Sequence, residues 1–279
     1  MISQTAPKGE PHFVLTMADH TAMCGQMARA FGNDRFEPPA PFEEVVYVVE
    51  NHDRGWDPYD ANPGLDPDTG VPYIMARTPA VDAVKTNRGS PDFNEARHPY
   101  CGLLSSMHSW GLYNNRYGFS KYVIRTQTAT SLDVASTSRV LIDAMLADEK
   151  ARQTRLRAAL AADPATRAWV EDPRLFQNYK HLQFLDTLSL YFHLRHADER
   201  GEETYVHVPL NAEEDTTVTV TKVDDGRYRL DPFPFADDRV TIVCRGRYVK
   251  PFPVGFPPGR VGAALRELPE DRQVYELLS

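Results

Sequence analysis

His20, His52, His108 and Asp186 each fall on an apolar stripe of helical period, and Asp53 directly follows His52. Imidazole and carboxylate groups on such faces are costly when unpaired, because burial strips their hydration. One shared cation answers all five. Neutral imidazole nitrogens and carboxylate oxygens suit zinc, iron or manganese, and no thiolate is required. A divalent metal among them would lower the pKa of bound water toward neutrality and polarise a phosphoryl or carbonyl oxygen. Each histidine alone fits a hydrogen-bonded core residue better than a ligand. The ordered set, His…His-Asp…His…Asp on successive stripes, is what points to a metal.

A phosphate would need positive neighbours. Arg54, next to the His-Asp doublet, carries the planar fork that suits phosphate oxygens, with Arg97, Arg116 and Lys180 behind it. Arg54 fits a surface ion pair with Asp57 or Asp60 equally well. Trp56 opens a long loop and either walls a pocket or anchors that loop. Tyr100 shares a stripe with His108 and either lines the pocket or packs in the core. His181 precedes Asp186 by five residues, roughly 140° around a helix, which places it at the rim or the surface. His193, His196 and His207 read as solvated. Asp57, Asp60, Asp66 and Asp68 lack the spacing of an EF-hand loop and read as turn formers beside proline.

Helices must carry these groups. Met17, His20, Met23, Cys24, Met27, Ala28 and Phe31 form one stripe, closed by Gly32-Asn33. Phe42, Val45, Val46, Val48, Val49 and His52 form a second, and Tyr100, Leu103, Leu104, Met107, His108 and Leu112 a third. A charge-rich helix is expected near 130–162, ended by Pro164, and another long one through Leu175, Leu182, Leu185, Asp186, Ser189 and Leu190. Between Asp57 and Thr78, prolines at 58, 63, 67 and 72 with Gly64 and Gly70 mark a long ordered loop. After residue 200 the period drops to two: Thr216–Thr221 alternates, Asp224-Asp225-Gly226 turns, and Tyr228-Arg229-Leu230 returns. Val240–Cys244 and Gln273–Leu277 are further strand candidates. The expected organisation is a mostly α-helical bundle over residues 1–200 with a small antiparallel β extension over 201–279.

The composition narrows the function classes. With 31 basic and 39 acidic residues among 279, the net charge is -8, which disfavours a nucleic-acid or membrane-surface binder. It leaves room for a small anionic substrate in a local positive pocket. Cys24, Cys101 and Cys244 form no CxxC pair, so a thiolate zinc site is not expected and a reducing, cytoplasmic setting is. No apolar run approaches the roughly 18 residues of a membrane helix. P-loop, GxGxxG, HExxH and GxSxG motifs are not seen.

The ligand order resembles the HD superfamily of metal-dependent phosphohydrolases. That resemblance implies His20, His52, Asp53 and Asp186 as primary ligands, with His108 in a place that dinuclear members fill with a further histidine. The match of His98 to the other such place is poor, since it follows a loop. A closer similarity is to the bacterial family known as domain of unknown function 3891. It is carried by Asp19-His20-Thr21, Gly25-Gln26-Met27-Ala28, His52-Asp53-Arg54-Gly55-Trp56, Pro63-Gly64-Leu65-Asp66 and Thr69-Gly70-Val71-Pro72. It continues through Leu103–His108, Leu185–Leu190 and Asp231-Pro232-Phe233-Pro234-Phe235, spanning about residues 12 to 250.

The expectation is therefore an HD-like metal-dependent hydrolase, acting on a small phosphate ester or nucleotide. Asp53 and Arg54 would be catalytic, and Arg54, Trp56, Tyr100 and Lys180 would bind substrate. Metal would be held by His20, His52, Asp53, His108 and Asp186. A di-iron oxygenase on the same scaffold and a non-catalytic ligand-binding domain are the alternatives. The β extension would serve as a lid, a homodimer surface or a cap.

Overall fold

Thr16 opens the first helix with a reciprocal cap. Its hydroxyl accepts the Asp19 N–H at 3.0 Å, while Asp19 Oδ2 accepts the Thr16 N–H at 3.4 Å. This fixes α1 (Met17–Ala30), whose stripe includes His20. The computed structural model describes residues 1–114 and 138–279; Arg116 and the first part of the expected 130–162 helix lie outside the described residues.

Among the described residues, six further helices precede the main strands: α2 (Phe42–Asn51), the short α3 (Asp57–Asp60), α4 (Ala80–Arg97), α5 (Pro99–Leu112), α6 (Arg139–Ala162) and α7 (Asp172–Leu194). α8 (Val261–Glu267) comes late. α1 packs on α2 and α7, and α5 packs on α2, α4, α6 and α7. α1, α2, α5 and α7 agree with the four apolar stripes.

α4 has no counterpart in the apolar pattern. Its buried face is Val84, Thr86, Asn87, Ser90, Pro91 and Asn94, so no hydrophobic period betrays it. Its polar groups grip the turn that follows α2. Asn94 Nδ2 donates to Asn51 O at 2.9 Å, and Ser90 Oγ accepts the Gly55 N–H at 3.1 Å. Gly55 lies against the α4 backbone so closely that a Cβ there would sit 2.1 Å from Thr86 O. Only glycine permits that approach.

The β structure overturns the expected fold class. It is not a small C-terminal extension on a mostly helical bundle. Helix takes about 51% of the described residues and strand 20%, and among them seven strands form one curled mixed sheet in the order β1-β2-β6-β7-β5-β4-β3. The strands are β1 (Ile2–Ser3), β2 (His12–Leu15), β3 (Glu203–Pro209), β4 (Asp215–Asp224), β5 (Arg227–Asp231), β6 (Arg239–Val249) and β7 (Asp271–Leu278). All neighbours run antiparallel except β5 and β7. Two strands come from the N-terminus, where short runs of two and four residues give too little alternation to read.

Sheet and helices share one core. Phe192 of α7 packs on Tyr228 and Tyr275, and Phe184 packs on Tyr205. Gln26 of α1 bridges to β6, exchanging two 2.9 Å hydrogen bonds with the Val243 backbone. The segment at Pro234-Phe235 fastens the end of α1, through Gly32 N–H to Pro234 O at 2.9 Å and Ala236 N–H to Ala30 O at 2.9 Å. The sheet thus braces the two helices that carry His20 and Asp186. No helix among the described residues is long and apolar enough to cross a membrane.

Candidate metal centre

His20 on α1, His52 and Asp53 at the end of α2, His108 on α5 and Asp186 on α7 converge in the helical layer, all buried. His52 ends α2, and Asp53 (φ −112°, ψ 20°) leaves the helix, so the doublet turns both side chains into one space. Ser105 Oγ donates to His52 O at 3.4 Å, tying that turn to α5.

The donor atoms crowd together. His20 Nε2 is 3.0 Å from Asp186 Oδ1, and His52 Nε2 is 3.7 Å from the same oxygen and 3.6 Å from Asp53 Oδ2. His108 Nε2 lies 4.0 Å from Asp186 Oδ2. Two donors on one ion, each ~2.1 Å from it, are at most ~4.2 Å apart, and every one of these separations falls inside that limit. Three overlapping triads can each close on a cation: His20, His52 and Asp53; His52, His108 and Asp186; and His20, Cys24 and Asp186.

His52 tests the fit of a cation most sharply. Its Nδ1 lies 2.8 Å from Val49 O, an acceptor, so the Nδ1 carries a proton. Its buried Nε2 has no hydrogen-bond partner, yet it faces two carboxylates. A bare lone pair beside two anions is unstable, so this space demands positive charge. In the metal-free protein a proton supplies it. Burial lowers the His52 pKa, but the Asp53 and Asp186 carboxylates outweigh that and raise it to about 9.

The neighbours divide accordingly. Burial and the adjacent His52 lower His108 to about 4, leaving a neutral imidazole. Burial raises the Asp186 pKa, but the His20, His52 and His108 imidazoles around it prevail and hold the carboxyl ionised, well below its ordinary range. Burial and the Asp186 charge push the Cys24 thiol well up. Its Sγ touches Ser189 Oγ at 3.3 Å, as a neutral thiol would.

Other residues expected at the site lie elsewhere or have committed partners. Arg54 pairs with Asp57 at 2.7 Å and lies over the Phe93 ring at 5.1 Å. Trp56 is buried, edge-on to Tyr59. The Tyr100 hydroxyl accepts from Asn178 Nδ2 at 2.7 Å, and its ring meets Trp169. Lys180 pairs with Asp215 of β4. Arg97 lies over Tyr47.

Two histidines differ from expectation. His181 is not at the rim but fully buried, with its ring 4.7 Å from that of Phe31. Neither ring nitrogen has a hydrogen-bond partner, and burial with Lys180 and Arg174 lowers it to about 3. His193 is not solvated either. It is fully buried, with Nδ1 3.1 Å from His20 Nδ1. Burial with His20 and Arg200 depresses its pKa well below the ordinary value. Ser189, missed as a site residue, places Oγ 3.0 Å from His20 Nδ1. Asp186, Ser189 and His193 follow the i, i+3, i+7 period of one helical face, which was the available signal.

The residues of the sequence similarity map onto this construction. Gly55 permits the contact with α4, Gln26 clasps β6, and the Pro-Phe segment fastens α1. The chain belongs to the DUF3891 family, proteins of unknown function. The family model matches residues 1–251, which include the whole cluster and every DUF3891 strand except β7. No curated protein and no solved structure matches this DUF3891 chain.

Proposed function

We propose that this protein is a metal-dependent hydrolase of small phosphate esters, with iron, manganese or zinc held by His20, His52, Asp53, His108 and Asp186. The observation that carries the reading is His52 Nε2, committed to no hydrogen bond and set between two buried carboxylates. The order of the ligands along the chain, resembling that of HD phosphohydrolases, supports it. Imidazole with carboxylate, without thiolate, suits these three metals.

A metal bound there supplies an electrophile for the phosphoryl oxygen and a water acidified toward neutrality. The protein supplies the rest. Asp186 and the imidazoles fix the position of the cation. Asp53, slightly less buried than Asp186 with its side chain 10% against 6% exposed, is the carboxylate assigned to orient an incoming water and accept its proton. Arg54 binds the phosphate. Its present pair with Asp57 is more than a third exposed on both sides, and such pairs contribute only ~0.2–1 kcal/mol, so exchanging Asp57 for a phosphate costs little.

Metal analysis of protein purified without chelators or a metal-affinity tag is the first test. A stoichiometric transition metal, lost in His52→Ala and Asp53→Ala, is expected. Turnover of one or more phosphomonoesters, nucleotides or cyclic nucleotides by the loaded protein should follow, with Arg54→Ala raising KM. Wild-type protein that takes up no metal overturns the reading. Two irons per chain with a charge-transfer band, and no phosphatase turnover, would replace hydrolysis by oxygenation.

A further inference from the structure

His20 offers its Nε2 to Asp186, and what stands behind its other nitrogen decides whether that Nε2 is free to bind a cation. Three contacts meet there. Ser189 Oγ donates its proton to Asp186 O at 2.7 Å, so the oxygen turns a lone pair toward His20 Nδ1 at 3.0 Å. His193 Nε2 lies 3.1 Å from Met23 Sδ, and a thioether sulfur can only accept. The proton of the neutral His193 ring is therefore on Nε2, and its Nδ1 is bare. That bare nitrogen faces His20 Nδ1 at 3.1 Å. Two acceptors around one ring nitrogen require it to carry the hydrogen.

We propose that His193, seconded by Ser189 and oriented by Met23, is a positioning residue that locks His20 in its Nδ1–H form and so presents the Nε2 lone pair to a divalent cation. The inference rests on the metal reading above but concerns residues outside the ligand set. It also explains a burial that is otherwise only a cost: His193 is fully inside the core and reaches no carboxylate partner. Two ligand histidines are thus prepared by different devices. His52 is set by a backbone carbonyl three residues earlier, His20 by a second imidazole from another helix. The first device is part of the α2 backbone and does not depend on the Val49 side chain. The second depends on the side chain of α7.

Outer partners of this kind affect metal affinity by about 10–100-fold. The test is titration of metal-free wild type, His193→Phe and His193→Asn with Zn²⁺ and with Mn²⁺ alone, alongside urea unfolding. His193→Phe fills the space without an acceptor, and its affinity should fall at least tenfold. His193→Asn returns an amide oxygen near the position of Nδ1 and should recover most of that loss. Equal affinity in wild type and His193→Phe overturns the inference, as does an Asn variant no better than Phe at equal stability. A second arm needs no metal. In 15N-histidine-labelled protein, His20 should show a protonated Nδ1, and this should shift toward Nε2–H in His193→Phe. A wild-type His20 with a bare Nδ1 overturns the inference whatever the titration gives. If wild type binds neither metal, the proposed function fails, and the 15N spectrum still decides the positioning role.

Discussion

α7 serves two buried charge centres of opposite kind. Near its middle, Asp186 faces His20, His52 and His108. Just past its end, Arg200 is buried under the sheet. Arg200 is complete in itself: it donates to Arg195 O at 3.0 Å, Phe192 O at 2.7 Å, and the hydroxyls of Tyr228 at 2.7 Å and Tyr275 at 3.3 Å. Its guanidinium lies 5.1 to 5.9 Å from the ring centroids of Phe192, Tyr228 and Tyr275. The two carbonyls belong to the α7 C-terminus, where the helix dipole favours a cation. The Asp186 centre has the reverse balance, with more lone pairs than protons. One centre finishes the fold; the other is left with a requirement that something outside the chain can meet.

The sharpest way to break this contrast is Asp186→Asn. It keeps shape and removes the charge shared by three imidazoles, so bound transition metal should fall at least tenfold, measured by elemental analysis per folded chain. Wild-type metal content in this variant would mean the two centres do not differ as described. Arg200→Met is the counterpart. It leaves two helix carbonyls and two phenols short of a donor, and a loss of about 3 kcal/mol in urea unfolding is expected. Its metal content at a temperature where it is folded should equal that of wild type.

Chelation sharpens the same contrast. A ligand at 100 times its Kd stabilises the folded state by about 2.7 kcal/mol. Added Mn²⁺ or Zn²⁺ should give wild type and Arg200→Met the same increment, and Asp186→Asn about 1.4 kcal/mol or less at the same concentration. An equal increment in all three variants would place the binding elsewhere.

These two centres were unequally legible in the sequence. The Asp186 centre was readable because a polar residue interrupting an apolar stripe is conspicuous, and four did so in order, with Asp53 directly after the second. Arg200 was silent, since its partners are two backbone carbonyls and two tyrosines at 228 and 275 that no local pattern connects to it. The same reason hid β1 and β2: β1 pairs with β2, and the pairing of β2 with β6 joins residues more than two hundred positions apart. α4 escaped because its buried face is mostly Thr, Asn and Ser. His193 read as one of a solvated trio, although its spacing from Asp186 and Ser189 marked a common face.

Acidity separates the centres again. In the metal-free protein the His52 pKa rises from 6.5 to about 9. The proton it holds stabilises the fold fully below pH 6.5, and that contribution is lost as the pH rises through about 9. His108 acts in the opposite direction: lowered to about 4, it makes the fold less stable as the pH falls below 6.5. Metal-free wild type should therefore be most stable near pH 6.5, losing on the order of 1–3 kcal/mol by pH 9.5. Urea midpoints across that range in Arg200→Met should show the same slope, and in Asp186→Asn a shallower one. A flat profile for wild type between pH 6.5 and 9 would show that no proton sits between His52 and the carboxylates.

The smallest effect asks whether Tyr100 belongs with the open centre or the closed one. Its residue type and its stripe with His108 permit a substrate contact, but its hydroxyl is already engaged. Asn178 Nδ2 donates to it at 2.7 Å and also to Ala40 O at 2.7 Å, which joins α7 to the entry of α2. The ring is fully buried and edge-on to Trp169. A hydroxyl so placed resembles Arg200 in having its partner inside the chain. Tyr100→Phe removes one buried hydrogen bond while Asn178 keeps Ala40, so about 1 kcal/mol of stability should go. Metal affinity should stay within twofold of wild type, and so should KM for any phosphomonoester the protein turns over. A larger rise in KM at unchanged stability would move Tyr100 into the substrate pocket, and the line between the two kinds of buried polar group would have to be redrawn on the α5 side of the cluster.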